Sequence, residues 1–315
     1  MEEIQSFVPK NYLNIFNHLI SNNEFDNYNL NLFSLKISNK EFNYDLLIND
    51  LVDRLITFCT CPKKYKEYIS SDKSGSLSRS SRKAFRQYIS VRRSINNGNS
   101  LPKTTDGELG ELMLYSFVES HLNAPKILTK MRFKTSNNDP VKRADGIHLL
   151  KLSDDYYELV YGESKLYENL SNGLTDAFSS INDFIKRDNN NINDEYTFLI
   201  DNIESEFSEE EYTIAKNILI PNENPISIDN SFAIFVGFQI NIPEDINKLK
   251  SINFQNKLHE HIKSEVTKRF DHIKNKIDEF NLNNYTFYIY LVPFTNLNET
   301  KIKILEEILE SVKLL

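Results

Sequence analysis

Asp145-Gly146-Ile147-His148 and, one short hairpin later, Gly162-Glu163-Ser164-Lys165 are the stretches that decide the fold. The residues between them read as two strands joined by a polar turn at Ser153-Asp154-Asp155. Side chains alternate along a strand, so Glu163 and Lys165 point the same way. A hairpin brings Asp145, expected on the neighbouring strand, beside Glu163. Two carboxylates and a lysine then converge on one small volume. Carboxylates that close repel each other unless a cation stands between them. Mg²⁺ or Mn²⁺ suits the place, because Mg²⁺ takes one or two protein carboxylates and completes its octahedron with waters and phosphate oxygens. The chemistry indicated is metal-assisted hydrolysis of a phosphodiester. An E-x-K triplet alone is common. Here it ends a run rich in β-formers, Tyr156-Tyr157-Glu158-Leu159-Val160-Tyr161, and Gly162 leaves room for close backbone approach.

Upstream, the segment from Asp106 to Glu119 reads as a helix with Asp106 as N-cap. Leu109, Leu112, Met113, Ser116 and Phe117 make its apolar stripe. Glu108, Glu111 and Tyr115 fall on an adjoining face. Acids in a first turn also complement the helix dipole, a reading that fits Glu108 better than Glu111.

The order is then helix with Glu, strand (Lys126 to Lys134), strand with Asp, strand with E-x-K, and helix (Asn169 to Arg187). It resembles the core of the PD-(D/E)xK nuclease superfamily. More closely, the phrases Gly107–Glu111 (G-E-L-G-E), Ala144–His148 (A-D-G-I-H) and Gly162–Tyr167 (G-E-S-K-L-Y) are similar to those of the HamA family, the nuclease subunits of the Hachiman anti-phage defence system. Ala144 stands where the superfamily usually has Pro. The resemblance implies a restriction-endonuclease-like α/β fold, a mixed sheet flanked by helices. It also implies a helicase partner, HamB, that restrains the nuclease until phage or damaged DNA is met. On this reading Asp145 and Glu163 bind Mg²⁺ with help from the Ser164 carbonyl. Glu111 binds or orients a second metal or its water, and Lys165 positions water or neutralises the phosphate. The expected activity is cleavage of DNA. An RNA nuclease, or a non-catalytic nucleic-acid-binding or regulatory subunit, is the alternative.

The chain has 315 residues, 40% hydrophobic, with no Trp and a net charge of −8. That charge hides an asymmetry. Residues 62–143 hold 17 Lys and Arg against 7 Asp and Glu, whereas 189–315 hold 12 against 21. The basic run (Lys63, Lys64, Lys66, Lys73, Arg79, Arg82, Lys83, Arg86, Arg92, Arg93) is interleaved with Tyr65, Tyr68, Phe85 and Tyr88. It suits a polyanion or an acidic partner, and a solvated helix surface would look similar. Cys59 and Cys61 are too close in sequence for an ordinary disulfide and form no zinc set. His259 and His261 flank an acid on a helix, where i and i+2 do not share a face. No run approaches eighteen apolar residues and the N-terminus is acidic, so a cytoplasmic protein is expected.

Other elements are expected as strand pieces from Asn29 to Ile37, a helix from Tyr44 to Thr60 closed by Pro62, and an Asn-rich loop at Asn189–Asn193. After these come an acidic helix from Ile203 to Ile220, a buried strand from Ser231 to Ile240 and one long helix over 247–280. A strand from Tyr285 to Val292 and a last helix from Leu297 to Leu314 complete the chain. Residues 1–100 are read as a largely helical, basic elaboration and 101–315 as the nuclease-like core, with no linker marking a firm boundary.

Overall fold

The computed structural model describes residues 4–22, 27–71, 75–76, 79, 106–129, 144–186, 191–220 and 226–310. Its centre is a seven-stranded mixed sheet. The strands are β1 (Phe16–Asn22), β2 (Tyr28–Leu35), β5 (Lys126–Leu128), β6 (Ile147–Lys151), β7 (Tyr156–Tyr167), β8 (Ser227–Gln239) and β9 (Thr286–Phe294), in the order β1-β2-β9-β8-β7-β6-β5. The middle four, β2, β9, β8 and β7, run parallel. β1 closes one edge antiparallel to β2, and β6 and β5 close the other as an antiparallel pair beside β7. A two-stranded ribbon, β3 (Ile37–Ser38) with β4 (Glu41–Phe42), stands apart from the sheet. The near-continuous apolar run of β8 follows from its place: it lies between two parallel strands and is buried from Ser231 to Phe238.

The helices are α1 (Tyr44–Cys59), α2 (Pro62–Ser70), α3 (Asp106–His121), α4 (Leu170–Lys186), α5 (Asn191–Glu206), α6 (Glu209–Leu219), α7 (Glu244–Asn247), α8 (Ser251–Thr267), α9 (Phe270–Glu279) and α10 (Leu297–Glu310). α3 and α4 both pack on β7 and β8. Residue alternation shows that they take opposite faces. Phe117 of α3 stacks with Phe235 and Tyr290, whereas Phe178 of α4 meets Phe287. α3 is buried from Glu108 to Ser120. The expected apolar stripe is there, but the helix is core on every side, so its three acids Glu108, Glu111 and Glu119 are buried as well.

Several expectations need correction. β1 was not anticipated, and with β2 it puts residues from 1–100 into the same sheet as β5 to β9. Pro62 opens α2 at its first position, where a missing N–H costs nothing. The acidic helix is two helices, because Ser208 and Glu211 form a capping box that starts α6 afresh. α5 begins inside the expected Asn-rich loop, at Asn191. The long helix is broken into three. At Lys268-Arg269 the Arg269 N–H reaches Val266 O, three residues back. That tightened turn leaves the apolar spacing of Leu258, Ile262, Val266, Ile273 and Ile277 nearly in phase, so periodicity could not reveal it. Of the expected strand over 126–134, only residues to 129 are described. Among the described residues no helix is long and apolar enough to cross a membrane.

Candidate active site

β7 carries the site. Its alternation sends Gly162 and Ser164 toward α3 and Glu163, Lys165 and Tyr167 toward α4. A Cβ at Gly162 would lie 2.8 Å from Leu114 Cδ2, and one at Gly110 only 3.0 Å from Ser164 Oγ. The glycines of the G-E-L-G-E and G-E-S-K phrases thus let helix and strand approach. On the other face, Lys165 Nζ lies 2.9 Å from Glu163 Oε1 and 3.0 Å from Asp176 Oδ2 on α4. The shared face expected for Glu163 and Lys165 is present.

Asp145 is not on a strand. It sits in the bend just before β6, although its N–H still donates to Gly162 O at 2.7 Å and Gly162 N–H donates to Gly146 O at 2.9 Å. This pairing sets Asp145 beside Glu163. Ser164 then clamps it: its N–H and its Oγ both donate to Asp145 Oδ2, at 2.8 and 2.7 Å. Burial, followed by the negative charge of Asp145, pushes the Glu163 carboxyl up to about 7, against the opposing pull of Lys165 and Ser180. Burial works against the Lys165 charge, but Glu163 and Asp176 more than offset it and its pKa is raised.

Glu111 is buried on α3. Its neighbour Gly110 rests on Ser164, and Tyr115, one turn further on, has its ring against that of His148 on β6 (6.1 Å between centroids). These contacts set the turn of α3 that carries Glu111 against β7 and β6. Glu111 thus belongs to the α3 side of the sheet, while Glu163 projects toward α4. Among the described residues no three His, Cys, Asp or Glu side chains converge to ligate one ion. The two carboxylates that the fold sets near one another are Asp145 and Glu163, close enough for the charge of Asp145 to act on Glu163. This pair fits Mg²⁺, which needs only one or two carboxylates, and the cost of ionising Glu163 beside Asp145 is what such a cation would relieve.

A cleft of about 620 Å³ opens at the carboxyl end of β7, lined by Gly107 of α3, the segment Ser164–Asn169, Asn172 and Asp176 of α4, and Asn298 and Lys301 of α10. Open α/β sheets place ligands at that end of their parallel strands. Asp176 and Ser180 were missed by sequence reasoning, and Tyr167 was read only as the end of the G-E-S-K-L-Y phrase. A helix residue eleven positions after the motif carries no local signal, and only the docking of α4 on β7 reveals it.

The basic run divides. Lys63 and Lys64 lie on α2, which packs against α1 and α5, and Arg79 is exposed. Lys66 is already paired, 2.7 Å from Glu211 of the acidic α6. Lys73, Arg82, Lys83, Arg86, Arg92 and Arg93 lie outside the described residues, as does the side chain of Asp106. Cys59 and Cys61 are buried free thiols. His148, the last residue of A-D-G-I-H, is buried with Nδ1 2.9 Å from Ala124 O, and burial lowers its pKa to about 4.

In comparisons with known proteins, the HamA family profile matches residues 10–308. No curated protein matches the chain.

Proposed function

The chain belongs to the HamA family of the Hachiman anti-phage defence system, and on that premise we propose that it is the system's metal-dependent DNA nuclease. One observation carries the reading: Glu163 and Lys165 project together from β7 while Ser164 fastens Asp145 beside them. Asp145 and Glu163 would hold Mg²⁺ or Mn²⁺, with the Ser164 carbonyl as a further oxygen donor. Glu111 would act from the α3 side on a second ion or its water. A cation there supplies Lewis-acid polarisation of the phosphodiester and a more acidic water.

The remaining work falls to the chain itself. The Ser164 N–H and hydroxyl fix the direction of one Asp145 oxygen. Lys165, protonated between two carboxylates, offers its donors to the attacking water or to a phosphate oxygen carrying growing charge. Plasmid incubated with the purified chain in Mg²⁺, in Mn²⁺ and in EDTA, with RNA in parallel, tests this. Cleavage of DNA that EDTA abolishes is expected. Cleavage of RNA alone would make it an RNA nuclease, and no metal-dependent cleavage would leave a nucleic-acid-binding or regulatory subunit.

A nuclease without a sequence-reading motif needs restraint, and a HamB-like helicase partner is the proposed source. The complex should cleave little until the helicase engages DNA and hydrolyses ATP. A complex equally active with and without ATP would end that part of the proposal. The basic segment is the proposed contact. Reversing Arg82, Lys83 and Arg86 to Glu should either weaken DNA binding and flatten its salt dependence or abolish co-purification with the partner.

A further inference from the structure

We infer that Asp176, seconded by Tyr167, is a positioning residue that fixes the direction of the Lys165 ammonium at the mouth of the cleft; the inference rests on the nuclease reading above. Lys165 makes two ion pairs, to Glu163 at 2.9 Å and to Asp176 at 3.0 Å. The Asp176 oxygen that meets Lys165, Oδ2, also accepts a hydrogen bond from Tyr167 Oη at 3.0 Å. Lys165 and Tyr167 are two apart on β7 and share a face, so one helix carboxylate ties both together.

The arrangement depends on α4 riding close to the strand. Gly173 makes that possible: a Cβ there would stand 2.8 Å from Val236 Cγ1 and 3.2 Å from Tyr167 Cβ. Asp176, one turn later, then reaches Lys165 with a short side chain.

A flexible lysine held only by Glu163 could swing about that single contact. Two carboxylates leave it one direction, with the third N–H available to the cleft that both Lys165 and Asp176 line. Folding does not account for the second pair. The Asp176 side chain is 44% exposed, and pairs of that kind contribute little to stability. Misdirection of a catalytic group is, by contrast, costly to rate.

The test uses the full chain with plasmid and Mg²⁺. In Asp176→Asn, kcat should fall about tenfold with KM unchanged. Asp176→Glu should recover most of the loss. Tyr167→Phe should cost about two- to threefold, and adding it to Asp176→Asn should cost no more than Asp176→Asn alone. A second arm needs no activity: acylation of Lys165 by an amine-reactive ester, followed by mass spectrometry, should be several-fold faster in Asp176→Asn than in wild type and near wild type in Asp176→Glu. An unchanged or raised kcat in Asp176→Asn, or unchanged Lys165 labelling, overturns the inference. If wild type cleaves nothing, the nuclease reading fails and labelling alone decides the positioning. If Asp176→Asn does not fold, Tyr167→Phe and Asp176→Glu decide it by the same two readouts.

Discussion

Two Glu–Lys partnerships lie within this fold, one buried and one half-buried beside a cleft, and they are built on different plans. In the first, Glu119 accepts from the N–H groups of Phe7 and Val8 with one oxygen (2.6 and 2.9 Å) and from Lys126 N–H with the other (2.9 Å). The Lys126 ammonium in turn donates to the carbonyls of Thr57 (2.6 Å) and Phe58 (2.9 Å) at the end of α1, and lies 5.1 Å from the Tyr115 ring. These contacts go to backbone, and they tie the N-terminal segment, α1, α3 and β5 together. In the second, Glu163 meets other side chains, Lys165 and Ser180, and a second carboxylate, Asp145, presses on it. The first pair satisfies groups that have nowhere else to turn. The second concentrates like charge beside an open cleft, where a ligand can resolve it.

Exchanging the two pairs' substitutions should give opposite results. Glu163→Ala and Lys165→Ala should each lower cleavage about a thousandfold or more, several kcal/mol of barrier, with only a small change in melting temperature. Near wild-type cleavage by either folded variant would remove the site assignment. Lys126→Met should instead cost about 3–5 kcal/mol of stability, since it leaves the α1 carbonyls buried without their donor and Glu119 buried without the nearby positive charge, although its bond from the backbone N–H of residue 126 remains. Urea unfolding measures this, and a loss below about 1 kcal/mol would mean the pair is not structural.

Much of this contrast was legible in the sequence, but unevenly. The E-x-K alternation, the hairpin and the strands β8 and β9 follow from local period and turn chemistry, and they fixed the second pair. The HamA-like phrases carried the family. Glu119 and Lys126 gave no such signal, because their partners are backbone groups from residues 7–8 and 57–58, brought near only by packing. Ser164 as the clamp on Asp145, and the place of Glu111 on the helix that covers the face opposite to Glu163, were likewise out of reach. A strand's pattern says which side chains share a face, but not which helix covers it. β1 went unseen because four of the seven residues of Phe16–Asn22 are polar, without strict alternation, and among the described residues its only strand partner is β2.

The wall between the two pairs should show itself in acid. His148 is neutral in the fold, its pKa lowered from 6.5 to about 4, chiefly by burial and against the pull of Ala124 O. An unfolded chain takes up the proton below 6.5 and the folded one does not. Its contribution is therefore fully present above pH 6.5 and is lost as pH falls toward 4, up to about 3 kcal/mol. Stability of wild type and His148→Gln, measured by urea at pH 7 and at pH 4.5, checks it. The variant should lose less on acidification, and equal losses would show that His148 does not hold the β6 end in its neutral form.

The smallest expected effect separates the pairs most cleanly, because it needs no substrate. A cation bound by Asp145 and Glu163 in the folded chain alone stabilises it by mass action, about 1.4 kcal/mol at ten times Kd. For a chain of this size that is a few degrees of melting temperature. Wild type should gain this shift in Mg²⁺ or Mn²⁺. Asp145→Asn and Glu163→Gln should not, and Glu163→Gln should melt slightly higher than wild type in EDTA, since a neutral amide beside Asp145 has no charge to repel. Lys126→Met, though weaker throughout, should keep the full metal-dependent shift, because its loss leaves both carboxylates of the second pair in place. If Lys126→Met lost the shift and Glu163→Gln kept it, the division into a structural and a functional pair would be reversed, and the cation would belong with Glu119.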